Sequence, residues 1–134
     1  MRNNEVRQMD SLQHSVYECY YHIIFCTYCR KELLTTWEVE EILKENIKRS
    51  VEILHGQVEM IELDPCHVHI LCKLPPSASL SMALQRIKGS TSRYIRKAFP
   101  GLGGKRLWSK SYYTATVGSR YDALKKYFAH HTFK

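Results

Sequence analysis

Two histidines in one short apolar run are the residues whose types and spacing best suit chemistry. His67 and His69 flank Val68 in a run bounded by Pro65 and Pro75, a pattern that predicts a buried strand. Because side chains alternate along a strand, the two imidazoles lie on the same face. Imidazole is the commonest protein ligand for transition metals, so the pair could hold one cation. Two histidines without a ligand, in the core or at the surface, are the alternative.

A tyrosine and a histidine near the end of the chain are the second candidate pair. Tyr127 and His131 are four residues apart in a helix predicted over residues 119–131, so they share one helix face. A tyrosine hydroxyl attacks poorly because its unperturbed pKa is about 10. A cation that polarises a phosphate removes the need for a stronger nucleophile. If His131 joins the histidine pair around one cation, Tyr127 lies beside the bound phosphate; His130 is an alternative third ligand.

Length and charge favour one nucleic-acid-binding domain. The chain has 134 residues, with 20 Lys and Arg against 13 Asp and Glu, a net charge of +7 and a pI near 9.2. We predict a flexible tail over residues 1–14 and a single domain over residues 15–134. The positive balance favours a polyanion, and nucleic acid before membrane, because no long apolar or amphipathic basic segment supports membrane attachment. A basic protein without such a partner is the alternative.

The cysteines indicate a reducing compartment. Five of them, an odd number, are scattered along the chain, which suits the cytoplasm better than a disulfide framework. Cys26 and Cys29 have zinc-like spacing, and Cys66 with His67 could complete a structural zinc site. The sequence has no second well-spaced pair, so we do not favour that site.

The elements that must position these residues follow a recognisable order. Strand, helix, strand, strand, helix and strand make the split βαβ arrangement of a ferredoxin-like sandwich, an α+β fold with two helices on one face of an antiparallel sheet. The first and third strands are central neighbours there, which puts the histidine pair in mid-sheet. An added C-terminal helix carries the tyrosine. The predicted elements are a strand over residues 15–27, a helix from Thr35 or Thr36 to about His55, strands over residues 57–63 and 68–74, a helix from Ser77 or Ser79 to Ala98, a strand over residues 108–117 and a helix over residues 119–131.

The histidine pair on a sheet strand, followed some sixty residues later by a tyrosine with a polar ligand one helical turn on, resembles the small single-tyrosine HUH transposases. These are the TnpA-type enzymes of insertion sequences that move as single-stranded DNA. The resemblance covers nearly the whole chain. Similar segments are residues 21–25, 30–31, 64–71, 75–76, 88–93, 107–113, 116–118 and 127–128.

The resemblance implies a mechanism and partners. Tyr127 would attack a scissile phosphate to form a 5′-phosphotyrosine, with a divalent ion, Mg²⁺ or Mn²⁺, held by His67, His69 and His131. The partners would be single-stranded DNA with hairpin ends and a second subunit, in a homodimer whose active sites can be shared, working in the cytoplasm at the nucleoid. The resemblance, together with the basic face of the second helix, also implies four DNA contacts: Arg30, Lys31, Lys88 and Arg93.

The chain departs from the family pattern at two positions. The family usually has an acidic residue directly before the histidine pair, where this chain has Cys66, with Asp64 two positions earlier. The family's third ligand is commonly a glutamine, where this chain has His131. Histidine can ligate, so the site is retained, with a preference for a softer ion such as Mn²⁺ over Mg²⁺.

Two other functions fit part of the pattern. A domesticated relative acting on repeated palindromic sequences would use the same chemistry. A catalytically silent nucleic-acid-binding module would use the same sandwich, with Tyr17, Tyr21 and Phe25 as stacking aromatics. The third strand carries the histidines rather than that module's aromatic motif, which favours the transposase.

Overall fold

Four strands and two helices make up the part of the chain that the structure, a computed structural model, describes, residues 19–117. The predicted tail, the first residues of the first predicted strand and the predicted last helix lie outside these residues. The elements are β1 (Cys19–Thr27), α1 (Trp37–Ile53), β2 (Gln57–Leu63), β3 (His67–Leu74), α2 (Leu80–Ala98) and β4 (Trp108–Val117), with a 3-10 turn at Tyr28–Arg30.

The strands form one antiparallel sheet in the order β2-β3-β1-β4. This is the predicted βαββαβ sandwich, and the two central strands are the first and third, as expected. β1 and β3 pair from Cys19 opposite Leu74 to Cys26 opposite His67. The ends of these two strands therefore bring Cys26 and His67 to one end of the sheet.

Both helices cover the same face of the sheet. Alternate side chains of the central strands, such as Ile23, Phe25 and Ile70, point into a core shared with apolar residues of the helices, such as Leu43 and Ile87. Each of these five is at most 2% exposed. Burying a side chain of that size stabilises the fold by about 1.5–3 kcal/mol relative to leaving it in water. These helices do not cover the opposite face, where the buried apolar residues in the described part of the chain are Tyr20 and Leu71, with Met60 packed against them.

Helix α1 begins and ends at capping structures. Thr36 accepts a hydrogen bond from the backbone N–H of Val39 at 3.3 Å, which caps the first turn. At the other end the N–H of His55 bonds the carbonyl of Glu52 and the N–H of Gly56 bonds that of Val51, which is a Schellman motif. His55 takes the left-handed conformation of that motif, with φ of 65°. We expected Gly56 to end the helix; the left-handed residue is the one before it.

Helix α2 is tied to β4 by a buried hydrogen-bond chain. The indole N–H of Trp108 donates to the Thr91 hydroxyl at 2.9 Å, and that hydroxyl donates to the carbonyl of Ile87 at 2.6 Å. The Trp108 ring meets Phe25 edge-on at 4.8 Å between centroids. The start of β4 is thus held against the helix and against β1. Neither of the two described helices is long and apolar enough to span a lipid bilayer.

Candidate metal centre and its basic surroundings

The two histidines of β3 lie on the face of the sheet opposite α1 and α2, as the alternation predicts. Val68 between them is fully buried under the helices, while His67 is half-buried and His69 is 4% exposed. Their ring centroids are 6.3 Å apart. With an imidazole nitrogen about 2.0–2.1 Å from its ion, two rings on one cation have centroids about 5–6 Å apart, so a small ring rotation suffices. The donor set, two imidazoles on a rigid strand, fits a divalent transition ion.

Asp64 orients His67 from the turn that precedes β3. Its Oδ1 accepts the backbone N–H of Cys66 at 3.0 Å and that of His67 at 2.6 Å, and lies 3.2 Å from the Nδ1 of His67. With Nδ1–H donated to the carboxylate, the Nε2 of His67 carries the lone pair and can bind a cation. A carboxylate behind a ligating histidine fixes the tautomer and raises the basicity of the ligand.

The pKa values of Asp64 and Cys66 are shifted in opposite directions. Partial burial alone would raise the pKa of Asp64, but the N–H of Cys66 and the charge and N–H groups of His67 together lower the pKa of that carboxyl. Burial and the nearby Asp64 carboxylate raise the pKa of the Cys66 thiol. At neutral pH the ring of His67 therefore lies beside an ionised carboxylate, that of Asp64, and a neutral thiol, that of Cys66. The Cys66 sulfur is 3.1 Å from the Nδ1 of His67.

Three neighbours of the pair were not among the predicted site residues. The centroid of the His22 ring lies 6.0 Å from that of His69. Glu62 of β2 pairs with His69, and Cys26 of β1 pairs with His67. Strand alternation could have found His22, because it lies opposite in phase to the buried Ile23 on a strand predicted to adjoin β3. Glu62 and Cys26 depend on register, which the sequence does not specify here.

A second set of donors lies around the Nδ1 side of His67. Asp64, Cys66 and His67 each offer a ligand atom, and these atoms are all within 4.8 Å of one another. Among the described residues this set includes neither Cys26 nor Cys29, and Cys29 is exposed in the turn after β1. The alternative zinc site with four ligands, two of them Cys26 and Cys29, is therefore not assembled in the described part of the chain.

The nucleophile and third ligand expected from the sequence lie outside the described residues. Tyr127, His131 and the alternative ligand His130 belong to the stretch after residue 117. Their placement beside the histidine pair remains a prediction.

The four basic residues predicted to bind DNA are distributed over two regions. Arg30 and Lys31 are exposed in the turn after β1, where the Thr27 hydroxyl donates to the carbonyl of Lys31 at 2.6 Å. Lys88 is half-buried and donates to the carbonyl of Ser109 at 2.8 Å, which connects α2 to β4. Burial lowers the pKa of its amine. Arg93 is exposed elsewhere on α2.

Comparison with known proteins points to one family. The family model described as "Transposase IS200 like" matches residues 15–131. The ISDra2 transposase TnpA of Deinococcus radiodurans is 33% identical over 118 residues, which is 84% of this chain and 83% of that protein. The transposase for insertion sequence element IS200 of Salmonella typhimurium is 28% identical over 126 residues, 90% of this chain and 81% of that protein.

Solved structures agree with the fold. A Deinococcus radiodurans protein assigned as a transposase superposes with a TM-score of 0.68 at 27% identity, covering 87% of this chain and 92% of that one. A REP-associated tyrosine transposase bound to a REP hairpin superposes with a TM-score of 0.59 at 18% identity, covering 84% and 61%. The second likeness shows a shared fold.

Proposed function

Because this chain belongs to the IS200-like transposase family, we propose that it cleaves and rejoins single-stranded DNA at the hairpin-bearing ends of an insertion sequence. The family is one of transposases, so the chain is an enzyme that cuts DNA and transfers strands. The observation that carries the finer proposal is the histidine pair of β3 on the sheet face opposite α1 and α2, with Asp64 behind His67. We further propose that residues 15–134 form one transposase domain.

His67, His69 and His131 hold a divalent cation in this proposal, either Mg²⁺ or Mn²⁺. A bound cation would polarise the scissile phosphate and offset the charge that develops on its oxygens. His67 contributes Nε2, because Asp64 occupies its Nδ1. His69 is nine-tenths buried and held between β1 and β2, so its ring is positioned before any ligand arrives.

Tyr127 is the proposed nucleophile. Its oxygen forms a bond to phosphorus as the bond from phosphorus to the 3′ oxygen breaks. The phenol loses its proton and the departing 3′ oxygen gains one, which leaves a 5′-phosphotyrosine and a free 3′-hydroxyl. A second 3′-hydroxyl then attacks the phosphotyrosine and releases the tyrosine. Because the protein–DNA bond conserves the phosphodiester energy, the exchange needs no nucleotide cofactor.

The proposed partners are hairpin-bearing DNA and a second copy of this chain. The REP-associated relative of the same fold was solved with a bound hairpin, which supports such a substrate. Arg30, Lys31, Lys88 and Arg93 are the proposed contacts to phosphates. In the homodimer, the helix carrying Tyr127 from one subunit completes the histidine site of the other.

Covalent capture tests the proposal. Purified protein, Mn²⁺ or Mg²⁺ and a hairpin-bearing single strand should give an adduct that survives a denaturing gel. Tyr127→Phe should abolish the adduct while hairpin binding persists, and Tyr121→Phe is the matched control. His67→Ala should lose metal-dependent cleavage, whereas His55→Asn, an exposed histidine at a helix end, should keep it. Full cleavage by the His67→Ala variant would refute the metal site.

A further inference from the structure

A basic hollow lies between α2 and the start of β4. It has a volume of about 380 Å³ and is bordered by the loop that joins these elements. Among the described residues that line it, five are cations and none is a carboxylate. The cations are Lys88, Arg96, Lys105, Arg106 and Lys110.

A second hollow continues from the first. It has a volume of about 370 Å³, and its lining includes Lys31 and Tyr28. Lys105 and Arg106 line both hollows, so the two form one continuous surface. We call this surface the basic track and define it by six cations: Lys31, Lys88, Arg96, Lys105, Arg106 and Lys110.

The basic track begins at the end of the sheet where the histidine pair lies. Trp108 lines the first hollow and pairs with Thr27 of β1. Cys26, the residue before Thr27, pairs with His67 of β3. The amine of Lys88 lies 5.7 Å from the centroid of Phe25, whose strand also carries Cys26. Phe25 points to the helix-covered face and the histidines to the opposite one, so a DNA strand leaving the metal centre reaches the basic track by passing around this end of the sheet.

The chemistry of the basic track suits a phosphate backbone. The Nε of Arg96 is buried and has no hydrogen-bond partner within the described part of the chain. Lys105, Arg106 and Lys110 are exposed. A row of cations facing solvent without a neutralising carboxylate attracts a polyanion and releases its counterions on binding.

Exposed aromatic rings favour a single strand over a duplex. Tyr28, 40% exposed, lies under the guanidinium of Arg106 at 5.4 Å. Tyr112, 52% exposed, lies under the amine of Lys88 at 5.5 Å. Cations interleaved with exposed aromatic faces are the features with which proteins bind unpaired bases. Each hollow is at the small end of ligand-pocket sizes and takes roughly one or two nucleotides.

We propose that the basic track holds the unpaired DNA that flanks the cleavage site, with phosphates on its cations and bases on Tyr28 and Tyr112. This rests on the proposed function for the identity of the substrate, and it adds the path of the strand. The cations added to the earlier contacts are Arg96, Lys105, Arg106 and Lys110. Arg93 lies outside the basic track.

Binding without divalent ions tests the path separately from catalysis. Filter binding would compare three oligonucleotides: a hairpin alone, and the same hairpin with an unpaired flank on its 5′ or its 3′ side. The test variant combines Lys105→Gln, Arg106→Gln and Lys110→Gln. The control variant combines Lys44→Gln, Lys48→Gln and Arg49→Gln, three exposed cations of α1. Both variants lose the same charge, so general electrostatic attraction falls equally.

We expect the wild type to bind one flanked hairpin more tightly than the bare hairpin. The test variant should lose that advantage in affinity, which we expect to be on the order of tenfold. Its slope of log affinity against log salt concentration for the flanked hairpin should be smaller by about 2. The control variant should retain both the advantage and the slope of the wild type. Tyr112→Ala should also weaken flank binding on the order of tenfold, and Tyr112→Phe should not.

Equal weakening of bare and flanked hairpins by the test variant would overturn the proposal, because the basic track would then hold the stem. Unchanged flank binding by the test variant would overturn it as well. A protein that passes this test and forms no adduct would contradict the proposed catalysis alone, so the two failures are distinguishable.

Discussion

At the scale of single residues, the carboxylate of Asp64 decides which nitrogen of His67 faces a ligand. We expect Asp64→Asn to weaken Mn²⁺ binding by about 10–100-fold, because the amide still accepts the two backbone N–H groups but no longer supports the imidazole with a charge. Isothermal titration with Mn²⁺ measures this. Glu62→Gln, which removes an exposed carboxylate opposite His69, is the control and should change affinity less. Equal affinities for the wild type and Asp64→Asn would rule out the orienting role.

Cys72 is the residue whose reactivity burial most clearly controls. Burial raises the pKa of its thiol to about 12, so almost no thiolate exists at neutral pH. We expect iodoacetamide to label the exposed Cys29 in the folded protein and to label Cys72 only after denaturation, as peptide mass spectrometry would show. Fast labelling of Cys72 in the folded protein would contradict its burial.

The raised pKa of Cys72 makes the stability of the protein depend on pH. The ordinary thiol pKa is 9.0 and the folded value is about 12. Between these values the unfolded chain has lost the proton that the folded chain keeps. The stability that Cys72 contributes is therefore complete below pH 9.0 and declines as pH rises toward 12.

Sequence reasoning located the candidate ligands of β3 but not their environment. The period of two was enough to put His67 and His69 on one face. The contact between Asp64 and the Nδ1 of His67 depends on the geometry of a turn around Pro65, and the sequence predicts only that a turn occurs there. The approach of His22 to His69 depends on pairing between strands distant in sequence.

At the scale of elements, the junction between α1 and β2 makes opposite demands on two adjacent residues. A Cβ at Gly56 would approach the side chains of Leu74 and Val51 at 2.9 Å and the carbonyl oxygen of Lys73 more closely still. His55 has a φ of 65°, where a side chain is strained and glycine is not. The glycine is therefore required for close packing, one residue beyond the position where conformation favours it.

Two substitutions at this junction should move stability in opposite directions. We expect His55→Gly to raise the free energy of unfolding by about 0.5–1 kcal/mol, and Gly56→Ala to lower it by about 1–3 kcal/mol through overpacking against the strand backbone. Urea denaturation followed by circular dichroism measures both. A stabilising Gly56→Ala substitution would show that the strand end yields to the added methyl group.

Elements with strong local signals were predicted well. β2 and β4 have the predicted bounds, and Thr36 and Ser79 cap the two helices as proposed. The period of the apolar residues and the capping chemistry are local, so one sequence suffices to find them. The expected helix end at Gly56 missed the left-handed residue, His55, by one position because glycine is the usual residue there.

At the scale of the whole molecule, the proposed sharing of active sites between subunits makes a sharp prediction. A Tyr127→Phe subunit and a His67→Ala subunit are each expected to be inactive alone. Mixed dimers should recover one active site of two if the tyrosine helix crosses to the partner, because one site then combines intact histidines with an intact tyrosine. Adduct formation after co-expression of the two variants measures this. No recovery in isolated mixed dimers would mean that each subunit completes its own site.

The net charge of +7 predicted a polyanionic partner but not where it binds. Arg96, Lys105, Arg106 and Lys110 are spread over two elements and a loop, and only the packing of α2 against the start of β4 brings them to one surface. A charge sum depends on composition, whereas a charged surface depends on tertiary packing. The sequence therefore predicts the class of partner and leaves its path to the fold.

The two tryptophans differ in solvent exposure, so their intrinsic fluorescence reports on two different regions of the protein. Trp37 is 70% exposed at the start of α1, and Trp108 is 6% exposed, bonded to Thr91 and lining the first hollow of the basic track. Emission from Trp108 should be blue-shifted and shielded from acrylamide, while that from Trp37 should be red-shifted and readily quenched. In a Trp37→Phe variant, the remaining emission would report on binding at the basic track without any attached dye.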